Sequence, residues 1–307
     1  MNAIVNNIAV YSTPAPNAPQ YTLTGSGLKT SLVSSALSDA SATYIDATGI
    51  TKATALTTAN KNCLITASAG MVTNPGNVIV GGICDNLALA DGAYNFRAPA
   101  NFTATSVSYD RSFTADNIST ICLPFPLTAD EVTAAGNFYQ LSGVSGSTLT
   151  FDKVTTTEAN KPYLFVAKTT GTISFEGGKS VVAASTFETV AGGASLIGTM
   201  TAQTLKSDGS QTLYGYKGGE FVKVGTTAGA KINPFRAYIA VAGSSLAPSF
   251  SIELNDADVT GIKTVAPQNH PQFGNCYDLS GRRMTNSPDA PTAKGLYIVN
   301  GKKYIVK

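Results

Sequence analysis

Three short runs of apolar and aromatic residues, separated by turn-forming residues, occupy residues 138–166, FYQLSGVSGSTLTFDKVTTTEANKPYLFV. The runs are 138–141, 148–151 and 162–166, and a Gly- and Ser-rich segment, 143–147, separates the first two. Runs of this length and composition, bounded by turn residues, are typical of β-strands. The segment 143–147 lies where a hairpin turn belongs. The sequence therefore predicts neighbouring strands of an antiparallel sheet here.

The same pattern continues on both sides, between about residues 101 and 255. Residues 217–220, KGGE, supply a second hairpin turn. Many short strands at a spacing of about 8 to 15 residues are typical of a sandwich or barrel, and we predict a central antiparallel β-sandwich over residues 101–255. The other strands of this region are predicted at 106–109, 120–123, 172–175, 212–216, 221–224, 237–241 and 250–254.

The N-terminal region, residues 1–100, has a less regular pattern. Residues 11–27 contain three prolines and two glycines and predict extended chain. Residues 28–37 place apolar side chains at near-helical spacing and predict one short helix. Short apolar runs then recur at irregular intervals, which suits either the rungs of a small β-solenoid or an ordinary meander. These runs are 44–45, 64–66, 78–80 and 87–89.

The C-terminal residues form a separate predicted unit. Residues 256–275 contain Pro267, Asn269, His270 and Pro271 with little periodicity, and we predict a linker there. Residues 276–307 predict a small β-hairpin unit, which makes the whole chain all-β in fold class. Its two hairpins are predicted at 276–284, turning at Ser280-Gly281, and at 296–306, turning at Asn300-Gly301.

Charge excludes some classes of partner. Of 307 residues, 43% are hydrophobic and only 13% are charged, and the net charge is +2. A chain with so little net charge has no overall field to attract nucleic acid or an anionic membrane, so we predict no nucleic-acid partner. The tail differs, because residues 261–307 hold seven basic and two acidic residues. Its Arg282, Arg283, Lys302, Lys303 and Lys307 suit either anionic lipid or, as we favour, protection of an edge strand against aggregation.

Catalytic and cofactor motifs are weak throughout the sequence. The single histidine, His270, lies in the predicted linker, where a general base would be poorly held. Residues 25–30, GSGLKT, lack the glycine that a phosphate-binding loop needs immediately before its lysine. We therefore predict a non-enzymatic protein without a cofactor. A glycosidase would need two paired carboxylates, and the sequence does not pair its candidates Asp130, Glu131, Glu158, Glu176, Glu188, Glu220 and Glu253.

Two features leave alternatives open. Asp256 and Asp258 match the start of a calcium-binding loop, but Pro267 occupies the twelfth position, where a bidentate Glu belongs. A full EF-hand is therefore excluded. The two aspartates suit either a partial calcium site or a simple polar turn, and of these we favour the turn and predict no metal. The four cysteines, Cys63, Cys84, Cys122 and Cys276, form no CxxC pair. A Cys63–Cys84 disulfide competes with buried free thiols, which we favour.

Aromatic residues offer one candidate binding surface. The alternating Tyr214 and Tyr216, together with Tyr238, suit an exposed platform for a sugar ring or a protein partner. The alternative, which we favour, is that these tyrosines are half-buried sheet residues. No ligand-binding residue is assigned from sequence.

Several segments resemble a module of secreted surface proteins of gut Bacteroidales that accompanies BspA-like adhesins. They are STICLPF (119–125), FYQL (138–141), ANKPYLF (159–165), NCLI (62–65), NVIV (77–80) and NPFRAY (233–238). The tail segments TGI (260–262), YDLSGRR (277–283) and KGLYIVNGKK (294–303) resemble the type IX (Por) secretion sorting domain.

This resemblance implies export and display at the outer-membrane surface, with adhesion to, or capture of, a host or matrix glycoprotein or glycan. It also implies that the tail engages the secretion or anchoring machinery. The alternative that it leaves open is a glycan-binding accessory protein of polysaccharide uptake. Residues 1–7 do not form a secretion leader, so we expect a leader or a longer upstream region to precede this chain, which would then be part of a larger protein.

Overall fold

The computed structural model describes residues 8–10, 18–25, 31–184, 186–243, 247–256, 276–277, 283–285, 295–299 and 302–306. The chain divides into two compact units, Met1–Asp256 and Ala257–Lys307. The described residues are mostly strands, with two short helices, and the predicted all-β class is confirmed.

The first unit begins with an eight-stranded mixed sheet. Four successive strands of this sheet, β2 to β5, pair in parallel, and their register aligns Tyr21, Ile45, Ile65 and Val78 across the ladder. Since β1–β2 and β5–β6 pair antiparallel, the sheet is not a uniform stack of parallel rungs. In sheet order its strands are β1 (Ile8–Val10), β2 (Tyr21–Gly25), β3 (Tyr44–Ile50), β4 (Leu64–Ala67), β5 (Val78–Val80), β6 (Ile83–Leu89), β7 (Phe102–Phe113) and β12 (Gly171–Val181).

Buried asparagines hold the loops of this sheet. The Asn62 side chain accepts a hydrogen bond from the Ala90 N–H (2.6 Å) and donates to the Tyr94 carbonyl (2.7 Å). The Asn77 side chain makes the same kind of link to Ala88: it accepts a hydrogen bond from the Ala88 N–H and donates one to the Ala88 carbonyl. These side chains satisfy backbone groups that would otherwise be buried without partners.

A ten-stranded sheet follows and folds back on itself as a two-layer sandwich. One layer is β13-β14-β19-β16-β17 and the other is β20-β10-β9-β11-β8, and apolar side chains from both fill the space between them. The strands are β8 (Ile118–Cys122), β9 (Gly136–Ser145), β10 (Thr148–Val154), β11 (Pro162–Ala167), β13 (Glu188–Ala191), β14 (Ala194–Thr199), β16 (Gln211–Lys217), β17 (Glu220–Lys223), β19 (Arg236–Ala242) and β20 (Ser249–Asn255).

The predicted sandwich is wrong for strands 106–109 and 172–175, which belong to the eight-stranded sheet as β7 and β12, and one strand pair within the sandwich is not antiparallel. The strand β20 pairs in parallel with β10, so that Leu149 lies opposite Ile252. The two strands are distant in sequence, and short apolar runs do not encode which of them become neighbours. A separate two-stranded sheet, formed by β15 (Gln203–Leu205) and β18 (Ala230–Ile232), was also not predicted.

The strand β11 lies at the centre of the unit, because both of its faces are buried. Phe165 packs into the core shared with the eight-stranded sheet, beside Phe113 and Phe138. Leu164 points into the core of the sandwich. The eight-stranded sheet and the two sandwich layers therefore stack as three layers. The division of this unit into domains at residues 1–100 and 101–255 remains a prediction. The strands on either side of the boundary, β6 and β7, are neighbours in one sheet and pair in parallel.

The two helices are α1 (Ser31–Ser38), which overlaps the predicted helix, and α2 (Ala129–Ala135), which was not predicted. Thr128 and Glu131 form a capping box at the start of α2. Glu131 also pairs with Lys179 of β12, which is largely buried. The capping-box spacing, Thr128-x-x-Glu131, is present in the sequence.

The second unit contains a four-stranded antiparallel sheet. The two predicted hairpins correspond to the pairs β21–β22 and β23–β24, while their turn residues lie outside the described part of the chain. The strand β24, which carries Lys302 and Lys303, is at one edge of this sheet. In sheet order the strands are β22 (Arg283–Thr285), β21 (Cys276–Tyr277), β23 (Gly295–Val299) and β24 (Lys302–Val306).

Candidate ligand-binding clefts

The tyrosines of β16 and β19 lie as half-buried or buried sheet residues, the favoured interpretation, rather than as an exposed platform. Tyr214 is fully buried, its ring packs edge-on against Phe250, and its hydroxyl donates to the Ala247 carbonyl (3.1 Å). Tyr216 and Tyr238 are half-buried, as the alternative interpretation expected. The interpretation as a platform is wrong for Tyr214 because the alternating face of β16 turns into the sandwich core rather than toward solvent.

The candidate carboxylates are dispersed or occupied by structural contacts. Glu158 pairs with Lys161 (2.7 Å), and Glu131 pairs with Lys179. Asp256 accepts a hydrogen bond from the Tyr139 hydroxyl (3.0 Å), whereas Asp258 and His270 lie outside the described residues. Within the described ranges, no group of three or more His, Cys, Asp or Glu side chains is placed to hold a metal ion.

The cysteines Cys63, Cys84 and Cys122 are free and buried. Cys63 and Cys84 belong to different core clusters, which accounts for the absence of a bond between them. Burial raises the pKa of Cys63 to about 12 and that of Cys84 to about 11. The expectation of free thiols packed as small apolar side chains is confirmed for these three residues.

One cleft of about 740 Å³ combines amide, hydroxyl and aromatic groups, and we call it the amide cleft. The segment from Asn95 to Ala98 forms one side and the segment from Gly198 to Gln203 another. The two are joined by hydrogen bonds from the Phe96 N–H to the Met200 carbonyl (2.9 Å) and from the Ala202 N–H to Asn95 Oδ1 (2.8 Å). Its other lining residues are Gln20, Thr43, Asn160, Val182, Ala183, Ala184 and Phe187.

The polar groups of the amide cleft fall into two sets. Gln20 and Asn160 are committed to the fold, since Gln20 Oε1 accepts from the Tyr44 N–H (2.9 Å) and the Asn160 amide donates to the Val182 carbonyl (2.8 Å). The second set, the side chains of Asn95 and Gln203, faces the cleft. In the described part of the chain, the amide nitrogen of Asn95 donates no hydrogen bond and the side-chain carbonyl of Gln203 accepts none.

A second cleft, of about 640 Å³, is lined by five basic side chains, and we call it the basic cleft. The hairpin of β16 and β17 forms one wall, and β15, β18 and the loop from Gly225 to Gly229 form the other. Its basic residues are Arg111, Lys217, Lys223, Lys231 and Arg236.

Sequence analysis did not identify the residues of either cleft. The amide cleft draws on segments near residues 20, 95, 160 and 200, and no local motif connects them. The basic residues of the second cleft are also scattered, from Arg111 to Arg236. A count of basic residues along the chain gives no signal, because the clustering arises only when β7, β16, β17, β18 and β19 come together.

Comparison of the chain with protein-family models, with curated proteins and with solved structures finds no match. In the residues that the structure describes, neither helix has the length and apolar character needed to cross a membrane.

Proposed function

We propose that this chain is a non-enzymatic ligand-binding module displayed outside the cell, and that it binds a saccharide in the amide cleft. The observation that supports this function best is the composition of that cleft. It combines amide groups that both donate and accept hydrogen bonds with the half-buried ring of Phe187. Concave sites with an apolar lining and a few oriented polar groups are typical of small-molecule binding.

The open groups match the chemistry of a sugar. The Asn95 amide nitrogen can donate to a ring hydroxyl, and the Gln203 carbonyl oxygen can accept from a neighbouring one. Phe187 and the buried Met200 supply apolar surface for the C–H face of the ring. The segments that carry Asn95 and Gln203 are fixed to each other by a backbone hydrogen bond, Phe96 N–H to the Met200 carbonyl, and by the Ala202 N–H bond to the Asn95 side chain, so the site is pre-organised.

Adhesion to a protein through a flat apolar surface has less support. In the described residues, the large hydrophobic side chains that are mostly exposed are Ile83 and Val190, which lie in different sheets. Two isolated side chains do not form the contiguous apolar patch that marks a protein interface.

A glycan array probed with the full chain tests the binding part of this proposal. We expect saturable binding to one class of saccharide, and we expect Gln203→Ala and Asn95→Asp to reduce it by roughly tenfold each, as for loss of one oriented hydrogen bond. Asn95→Asp keeps the acceptor for the Ala202 N–H and replaces the amide donor with a charged carboxylate oxygen, a change of charge that the control Asn117→Asp reproduces outside the cleft. The matched controls are Gln211→Ala and Asn117→Asp, exposed residues outside the cleft. Equal binding by the cleft and control variants would exclude this site.

Display outside the cell is supported by the resemblance of the tail to a secretion sorting domain. Deletion of residues 276–307 in the producing organism should abolish surface display, measured by protease accessibility on intact cells. Unchanged display after this deletion would contradict a sorting role for the tail.

A further inference from the structure

The basic cleft has a concentration of positive charge that its surroundings do not match. Residues 1–260 hold 14 basic and 17 acidic residues. Five of those basic residues nevertheless line this one cleft, and no carboxylate lines it. Solubility does not require a patch of positive charge on a chain whose other residues are acidic overall, so the patch calls for another explanation.

Of the two guanidinium groups that line the floor of the cleft, that of Arg236 pairs with a carboxylate, Asp91, which is not itself among the lining residues. Arg236 donates to both oxygens of Asp91 (2.7 and 3.1 Å). Arg111 donates to the Thr120 carbonyl (2.7 Å) and lies over the Phe113 ring. Neither of these partners of Arg111 carries a charge; the carboxylate that attracts it electrostatically is Asp91, which already pairs with Arg236.

The electrostatics of Arg111 agree with this arrangement. Burial is the largest cause of the lowered pKa of Arg111; the nearby charge of Arg236 lowers the pKa as well, whereas Tyr109 and the charge of Asp91 raise it by less than burial lowers it. Tyr109 is also close, but burial raises its pKa to about 12, so it is neutral at pH 7. A half-buried cation that is repelled by a second cation is stabilised by an anion that enters the cleft.

The mouth of the cleft adds further cations. Lys217 and Lys231 are exposed on opposite walls. Within the described residues, neither ammonium group has a carboxylate oxygen within ion-pair distance, although Glu220 lies opposite Lys217 in the hairpin register. Both lysines are therefore available to a ligand.

The cleft also has features that favour a sugar over a long polyanion. The half-buried ring of Tyr216 lines it and offers an apolar surface to a sugar face. Its volume of about 640 Å³ suits a small ligand. Because the remainder of residues 1–260 is acidic overall, an extended polyanion would meet repulsion outside the cleft.

We propose that the basic cleft binds the carboxylate or sulfate group of an acidic saccharide, with Arg111 at the floor and Lys217 and Lys231 at the mouth as the anion-binding residues. Guanidinium and ammonium groups are the side chains that recognise such groups most strongly. This site is separate from the amide cleft, so either proposal can fail without the other.

Calorimetric titration of the full chain tests this site. The probes are digalacturonic acid for a carboxylate, galactose 6-sulfate for a sulfate, and lactose as the neutral comparison. We expect at least one acidic saccharide to bind more tightly than lactose, and to bind more weakly as sodium chloride is raised. Comparison of the two acidic probes distinguishes the two sources of charge.

The decisive variant is the double substitution Lys217→Gln and Lys231→Gln, which should weaken binding by roughly tenfold. The matched control is Lys52→Gln with Lys168→Gln, two exposed lysines outside the cleft, which should leave binding unchanged. A second variant, Arg111→Gln, tests the floor of the cleft. Arg111 is half-buried, so this variant can fail to fold, and in that case the double variant of the exposed lysines still tests the proposal.

Three results would overturn the proposal. The first is that neither acidic saccharide binds more tightly than lactose. The second is that the cleft and control double variants bind equally. The third is that tetraglutamate or a short oligothymidylate binds as tightly as the acidic saccharides, which would indicate a surface selective for charge alone.

Discussion

Arg236 and Asp91 form a two-point ion pair that joins the sandwich to the eight-stranded sheet. Arg236 begins β19, and Asp91 lies in the loop that follows β6. Burial alone would raise the pKa of Asp91, but its hydrogen bonds with Arg236 and the charge of that residue outweigh burial, and the pKa is lowered overall. A carboxyl group with a lowered folded-state pKa contributes stability above its unfolded pKa and loses that contribution as the pH falls.

Asp91→Asn should therefore lower the free energy of unfolding at pH 7 by about 1–2 kcal/mol. The difference between the variant and the wild type should shrink as the pH falls below about 4, because protonation then removes the same charge from the wild type. Urea unfolding followed by tyrosine fluorescence measures this, since the chain has no tryptophan. Asp85→Asn, at an exposed carboxylate in β6, is the control. A difference that stays constant from pH 7 to pH 3 would contradict the role of the charge.

Asp91→Asn also bears on the basic cleft. Removing this carboxylate leaves both Arg111 and Arg236 without an anionic partner at the cleft floor, so an acidic saccharide should bind more tightly, by roughly threefold to tenfold. The measurement is calorimetric titration with the acidic probe that binds the wild type. Weaker binding by a variant that remains folded would contradict the electrostatic account of the floor.

Glu131 contributes to stability in two ways, as the N3 member of the capping box of α2 and as the partner of the largely buried Lys179. Glu131→Gln keeps a side chain suited to the capping box but leaves the Lys179 ammonium without its counter-charge. We expect a loss of about 2–3 kcal/mol in the free energy of unfolding. Asp130→Asn, at the adjacent exposed carboxylate, should cost less than about 0.5 kcal/mol. Similar losses for the two variants would show that the ion pair is not the source of the effect.

Asn62 is expected to be essential for the loop after β6. Asn62→Ala would leave the Ala90 N–H and the Tyr94 carbonyl without their hydrogen bonds in a buried site. The cost should be about 2–4 kcal/mol, and it should appear in thermal and urea unfolding. Asn117→Ala, at an exposed asparagine, is the control. A loss below about 0.5 kcal/mol for Asn62→Ala would contradict the structural role of its amide.

The thiols of Cys63, Cys84 and Cys122 should resist alkylation in the native protein at pH 8, because burial keeps them protonated and inaccessible. The clean measurement uses Cys276→Ser as the background and counts modified thiols by mass spectrometry before and after unfolding. Three thiols should react after unfolding without reductant. Reaction of a single thiol under those conditions would reveal a disulfide.

The sequence was sufficient for the all-β class and for most of the strands, because strand propensity and turn residues are local signals. It was sufficient for neither cleft. Asn95 and Gln203 become neighbours only through the packing of distant strands, and the buried role of Tyr214 depends on which face of β16 meets the core. The parallel pairing of β10 with β20 is non-local in the same way. Helix α2 is different, because its capping box was visible in the sequence.

The claim that the amide cleft is a saccharide site is tested most directly by hydrogen–deuterium exchange of the full chain, with and without the saccharide that gives the strongest array signal. The account predicts slower exchange of backbone amides in residues 95–98 and 198–203 when the saccharide is bound, with little change elsewhere in the sandwich. Saturable binding that protects other segments and leaves both of these unchanged would contradict it.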